Sequence, residues 1–314
     1  MHRLLLLIAL FALALNVYAA GDTSSIILNT PTGKIYGTLQ TAPGKHTGPV
    51  VLIIPGSGPT DRNGNIMMQK NEMYRALADS LAAQGISTLR YDKRGIGESK
   101  AAANERDLRF ETYVGDVKDW MRLLQGMKQF SRVFVLGHSE GSLIGALAVQ
   151  GAKGLGGYIS VAGPAMPADS MIVQQLSKQM PATMVDSVRM YFAMARRGDS
   201  LRNVPRQYYP IFRPSVVPYM MSWIKYDPAV EIAKVTAPTL FIQGTHDLQV
   251  GVDQYDLLMK ALPGAEGHKI EGMNHIFRNA PLDRQENFGT YSDASLPLNR
   301  EFVKALTGFI KKHS

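Results

Sequence analysis

The stretch Val133-Phe-Val-Leu-Gly-His-Ser-Glu-Gly-Ser-Leu-Ile-Gly145 restricts what this chain can fold into more than any other. Its first residues are continuously apolar, the mark of a strand covered on both faces. Its last are small and apolar, as in a helix packed closely against a sheet. Between them lies G-x-S-x-G, as Gly137-His138-Ser139-Glu140-Gly141, which leaves about two residues for strand to become helix. So tight a turn holds its central residue in a strained backbone conformation, and glycine on either side leaves room for the close crossing. The turn lifts the Ser139 hydroxyl out of the sheet and aims the positive end of the following helix toward it.

The same alternation runs through much of the chain. Short β-rich runs at Ser25–Asn29 and Lys34–Gln40, punctuated by Pro31-Thr32-Gly33, read as an antiparallel hairpin. Val50–Ile54, Ile86–Tyr91, Val133–Gly137, Gly157–Val161 and Thr239–Gly244 read as buried strands. Helical spacing over Asn71–Gln84, Thr112–Gln129 and Ser142–Gln150 separates them. Strands and helices in this order predict an α/β fold, a mostly parallel sheet flanked by helices. From Ala162 to Pro238 the rhythm stops. Helical patterns at Asp169–Lys178 and Thr183–Arg196, five prolines from Pro205 to Pro228 and eight of the sixteen methionines predict an inserted helical lid. The alternative is ordinary crossover helices with methionine as core filler. The expected organisation is residues 1–19 as a leader, 20–162 and 238–314 as the α/β core, and 163–237 as the lid.

Composition narrows the function classes. The formal charge of +8 is spread out, with only pairs such as Arg196-Arg197 and Lys311-Lys312, so nucleic acid is not an expected partner. The sequence has no cysteine, which excludes disulfides, zinc-thiolate sites, iron–sulfur clusters, a cysteine nucleophile and a lipid anchor on cysteine. At the N-terminus Arg3 precedes an apolar run from Leu4 to Leu15 and small residues at Val17 and Ala19, the pattern of a secretory signal peptide. The run is shorter than the roughly 20 residues a spanning helix needs, so a retained anchor is the weaker alternative and no stable membrane anchor is expected. Cleavage after Ala19 removes Arg3, leaving 33 basic against 26 acidic residues, a formal charge of +7, on a protein expected in a periplasm or outside the cell.

A serine hydroxyl is a weak nucleophile until a base takes its proton and a carboxylate orients that base. Of seven histidines, His2 lies in the leader, His46 in an early loop, His313 at the terminus, and His138 beside Ser139 pointing away. His268 falls inside the predicted strand Gly267–Glu271. His246 is the sequence neighbour of Asp247 and cannot easily accept that carboxylate while reaching Ser139. His275, in the loop after that strand, is the favoured base; a capping role is its alternative. Asp247 leaves the strand Thr239–Gln243 at its carboxyl end and is the favoured acid, with helix capping as the alternative and Asp253 as a rival.

The order Ser139, Asp247, His275 is that of the α/β-hydrolases, and the chain resembles that superfamily over its mature length. Within it, Ile54-Pro-Gly-Ser-Gly-Pro-Thr-Asp-Arg-Asn-Gly-Asn65 and Tyr91-Asp-Lys-Arg-Gly-Ile-Gly-Glu-Ser99 resemble the secreted bacterial esterase and serine-aminopeptidase-like group. Such families mostly write His-Gly where this chain has Pro55-Gly56. The resemblance places the backbone amide of Ser57 at the family's oxyanion position, opposite that of Glu140. It implies hydrolysis of a small-molecule ester or acyl substrate through an acyl-enzyme, with no cofactor or metal. Asp92 and Arg94 read as structural. Glu140 is expected to border the substrate pocket, whereas Asp61 and Arg62 read better as a solvated loop. Met180, Met184, Tyr191, Met220 and Trp223 are expected to roof the pocket, with plain packing as the alternative. Two rivals remain. An exopeptidase or amidase would add carboxylates for a substrate amino group, for which Glu140, Asp169, Asp186 and Asp199 are the only hints; a non-catalytic binding protein of the same fold is the other. Serine rather than aspartate at the turn excludes a usual halide-releasing enzyme.

Overall fold

Every residue of β3, Gly48–Ile54, from Pro49 onward is buried, and so are all of β4, Ser87–Tyr91, and the last six residues of β5, Phe130–His138. The computed structural model describes residues 21–44, 47–67 and 69–314; the expected leader and His46 lie outside them. Eight strands form one sheet in the order β1-β2-β4-β3-β5-β6-β7-β8. β1, Thr23–Thr30, and β2, Gly33–Gln40, form the expected hairpin, and β2 runs antiparallel to β4. All remaining neighbours, through β6 at Leu155–Val161, β7 at Thr239–Gly244 and β8 at Glu266–Ile270, pair in parallel. Parallel strands direct all their carboxyl ends to one edge of the sheet, which is where an α/β fold builds its sites.

Helices cover both faces. α1, Met73–Ala82, packs with the C-terminal helix Arg300–Lys312 on one; α2, Phe110–Gln125, and α3, Glu140–Val149, pack on the other. Both α1 and α2 start and end within four residues of where periodicity put them. α2 buries Phe110, Tyr113, Val117, Trp120 and Leu124 along one stripe. α3 is different, because nine of its ten residues are buried and it has no polar face. A helix enclosed on all sides gives no amphipathic signal. Gly137 and Gly141 explain its depth: a β-carbon on Gly137 would lie 2.2 Å from the Gly141 carbonyl oxygen, and one on Gly141 2.5 Å from that of Ile54.

Between β6 and β7 the chain leaves the sheet for α4, Ala168–Ser177, α5, Ala182–Arg196, and three short helices, α6 at Tyr209–Phe212, α7 at Val217–Trp223 and α8 at Pro228–Ile232. These build a small core of their own around Val188, Phe192, Phe212 and Ile224. After β7 come α9, Val252–Ala261, and, beyond β8, α10 at Arg284–Gly289 and α11, the C-terminal helix already described. The predicted strand Gly267–Glu271 is shifted by one residue, to Glu266–Ile270.

Candidate active site

Ser139 sits between β5 and α3 at φ 54° and ψ −120°, a conformation a residue with a β-carbon holds only when the surroundings force it. Its N–H donates to the Val161 carbonyl at 3.0 Å, and its own carbonyl accepts from Ser142. Glu140 follows as the first helical residue, so its N–H has no intrahelical partner and its carboxylate stands at the favourable positive end of the helix.

On the same sheet edge, His275 Nδ1 donates to Asp247 Oδ2 at 2.7 Å, with both side chains buried. Asp247 lies just past β7, and its other oxygen, Oδ1, accepts from the backbone N–H groups of Gln249 and Val250 at 2.8 and 3.0 Å. Gln243 Nε2 adds a third donor, at 3.2 Å to Oδ2. The carboxylate therefore caps its own loop with one oxygen and orients the histidine with the other. The following helix α9 is capped by Gly251, so a helix-capping role for Asp247 does not compete. Asp253 takes the Gln254 side-chain amide instead. His246 Nδ1 bonds the Ala280 carbonyl, and His268 lies on the exposed part of edge strand β8.

Two residues hold the His275 loop in ways the sequence did not signal. Asn274 accepts from the backbone of Ile276 and Arg278 and donates to Thr290 Oγ1 at 2.8 Å, folding the loop back on itself. His138 has a larger role than pointing away from the site. Its Nε2 is 3.0 Å from the His275 carbonyl, which can only accept, so Nε2 carries the hydrogen. Nδ1 must then accept, from the Tyr74 hydroxyl at 2.7 Å, and that hydroxyl in turn accepts from the Gly56 N–H at 2.9 Å. One directed chain thus joins the glycine-rich loop after β3 to the backbone of His275.

Burial, reinforced by the neighbouring His275, holds protonation of His138 well below the ordinary imidazole value of 6.5. Below that value the unfolded chain binds a proton at this residue and the folded chain does not. Stability is therefore lost as pH falls from about 6.5, by up to about 1.4 kcal/mol per pH unit. His138→Gln is expected to be less stable at neutral pH yet to flatten this slope. Urea unfolding of both proteins between pH 7 and pH 5 checks it; parallel slopes would assign the acid sensitivity elsewhere.

Ser57, Ser139 and Glu140 open onto a cavity of about 770 Å³, lined also by Met171 and Ile172 of α4 and Met220 and Trp223 of α7. Met180, Met184 and Tyr191, expected in its roof, do not line it. They pack instead against the core formed among α4 to α7: Met184 and Tyr191 because α5 turns its apolar side to its neighbouring helices, and Met180 from the turn that precedes α5. The cavity wall also carries charged and polar side chains, among them Lys93, Arg94, Glu105, Glu140 and Arg213. Lys93 and Glu140 form a buried ion pair at 3.2 Å, and the Tyr219 hydroxyl donates to the other Glu140 oxygen. Beneath them Arg94 makes two hydrogen bonds to Asp116, and Asp92 binds the Arg62 side chain and the backbone of Arg62 and Glu98. Arg62 is thus a paired, largely buried side chain, and Asp61 folds its own loop by accepting from Asn63 and Asn65; neither is a freely solvated residue. Lys93 stands between Asp92 and Arg94, both read as structural, and nothing in the local pattern sets it apart from them. Among the described residues no group of three or more His, Asp or Glu is placed to hold a metal ion.

The chain has counterparts among known proteins. A family model described as serine aminopeptidase, S33, matches residues 67–209, a stretch that contains Ser139 but ends before Asp247 and His275. Solved structures match across nearly the whole chain. The α/β hydrolase GrgF from Penicillium sp. sh18 superposes with a TM-score of 0.60 at 17% identity, covering 93% of this chain and 99% of that one. The chain has the fold of the α/β hydrolases. Est1E of Butyrivibrio proteoclasticus, solved with ferulic acid bound, superposes on this chain equally well, with a TM-score of 0.60 at 17% identity and coverage of 91% and 99%. Among curated proteins, Esterase EstD of Thermotoga maritima is 28% identical over 259 residues, 81% of this chain. The chain spans about 60% of the length of that relative.

Proposed function

We propose that this protein is a serine esterase of the α/β-hydrolase superfamily that cleaves small-molecule carboxylic esters through an acyl-enzyme. The observation that carries the reading is the buried contact of His275 with Asp247 on the same sheet edge as the strained Ser139. In this mechanism Ser139 Oγ bonds to the ester carbonyl carbon as its proton passes to His275 Nε2. The oxyanion is held by the N–H groups of Ser57 and Glu140. Collapse expels the alcohol, which leaves with the proton from His275, and water then repeats the sequence in reverse to free the acid. Asp247 keeps the imidazole in the tautomer whose Nε2 can accept. The helices α4 to α8 act as a lid whose Met171, Ile172, Met220 and Trp223 surround the substrate.

The carboxylates that an aminopeptidase would offer to a substrate ammonium support the ester reading, because each already has a partner. Glu140 is held by Lys93 and Tyr219, Asp169 by Arg196 at 2.5 Å, Asp186 by Arg189, and Asp199 by Arg197. Glu105, at the cavity, pairs with Arg213. Short-chain p-nitrophenyl esters are therefore expected to exceed aminoacyl anilides in kcat/KM by about a hundredfold or more. Equal or faster anilide cleavage would transfer the assignment to an exopeptidase. The N-terminal sequence adds export to this proposal, so in expressing cells the esterase activity is expected in the periplasmic or secreted fraction and not in the cytosol.

A further inference from the structure

The peptide between Gly56 and Ser57 presents two groups in opposite directions. Its N–H belongs to Ser57 and its carbonyl to Gly56, and in a planar trans peptide whatever holds the carbonyl also aims the N–H. Lys93 Nζ donates to this carbonyl at 2.6 Å. The same ammonium is 3.2 Å from Glu140 Oε2 and 5.5 Å from the centre of the Tyr113 ring, and it is buried. On the preceding peptide the Gly56 N–H donates to the Tyr74 hydroxyl. Gly56 is thus pinned on both sides, by Tyr74 at its amide and by Lys93 at its carbonyl.

The geometry points to Lys93 as a positioning residue for the oxyanion hole. It fixes the Gly56–Ser57 peptide with the Ser57 N–H turned away from the ammonium, and it polarises that amide so that its N–H donates more strongly as negative charge develops. Through Glu140 it ties the residue that carries the second donor to the same cation. This role rests on the reading of the Ser57 and Glu140 amides as oxyanion donors. It differs from simple neutralisation of a buried carboxylate, which would require a positive charge near Glu140 but no contact with Gly56.

Lys93→Met separates the two. Its kcat on a p-nitrophenyl ester is expected to fall by about tenfold to a hundredfold, short of the loss of a whole donor, with KM changed by less than about threefold. Affinity for a trifluoromethyl ketone, whose hemiketal oxygen occupies the oxyanion position, should fall in proportion to kcat/KM. Affinity for the matching secondary alcohol, which forms no adduct, should stay unchanged. The double variant Lys93→Met/Glu140→Gln removes both charges, so it keeps the test open if the single variant leaves Glu140 unpaired and fails to fold. It too should be slow. Recovery of wild-type kcat in the double variant, or unaltered trifluoromethyl ketone affinity in either, overturns the role. If Ser139→Ala is inactive while the Lys93 variants are fast, only the role of Lys93 is lost; an active Ser139→Ala overturns the esterase reading beneath it.

Discussion

Ser139→Ala is expected to lower ester turnover by at least about ten-thousand-fold and to abolish labelling by a fluorophosphonate, while the protein remains folded. Loss of a serine nucleophile from such a triad removes nearly all of the chemical acceleration, leaving only binding and oxyanion stabilisation. The backbone at this position makes a second substitution informative. Alanine keeps the β-carbon that makes φ 54° with ψ −120° unfavourable, so it keeps the strain. Ser139→Gly removes it. Strain of this kind is worth about 1–3 kcal/mol, and the extra freedom glycine gives the unfolded chain offsets about 0.4–1 kcal/mol, so a net gain of about 1 kcal/mol is expected. Ser139→Gly should thus be as inactive as Ser139→Ala and measurably more stable in chemical denaturation. Appreciable turnover by either variant would place the nucleophile elsewhere.

The second large effect is expected for Asp247→Asn, with a fall of about ten-thousand-fold in kcat. The hydrogen bonds around the carboxylate decide which way the new amide lies. The backbone N–H groups of Gln249 and Val250 both donate to Oδ1, so the asparagine oxygen is held there and its NH2 takes the place of Oδ2. That NH2 then faces His275 Nδ1 and forces Nδ1 to accept. The ring hydrogen moves to Nε2, and the imidazole can no longer take a proton from Ser139. The same NH2 meets the Gln243 amide donor, so a stability loss of about 1–3 kcal/mol is expected alongside. Kinetics on a p-nitrophenyl ester and urea unfolding read the two effects separately. An Asp247→Asn enzyme within tenfold of the original would remove Asp247 from the proposed triad.

Where the sequence carried a strong local signal, the fold followed it. Buried strands such as Val50–Ile54 and Val133–Gly137 are apolar at every position, and the stripe of α2 repeats at helical spacing, so both were legible. The cores of α1 and α2 were placed and their ends were not, because helix ends depend on single contacts, such as the N–H of Phe110, the first residue of α2, donating to Ser222 Oγ from α7. Ser139, His275 and Asp247 could be selected because each falls in a loop at a carboxyl strand end. The wall of the cavity was less legible. Met180 and Met220 look alike in sequence, and only the folded packing separates them: Met180, in the turn between α4 and α5, lies against the small helical core, whereas Met220 of α7 reaches the cavity. His138 and Lys93 act through backbone carbonyls far away in the chain, and no spacing rule encodes such a partner.

The contact between His138 and the His275 carbonyl joins residues 137 positions apart, and Arg278 donates to the Asn71 carbonyl across 207. Contacts this distant are closed late, because loop-closure entropy must be overcome before they give anything in return. A chain that had ordered only its first five or six strands would already hold Ser139 at its turn, yet in the proposed mechanism it would have no base to remove the proton. Reactivity therefore arrives with the docking of the final two strands and their loops. A half-folded or truncated molecule is then expected to be chemically inert, and recovery of ester turnover during refolding to report completion of the sheet.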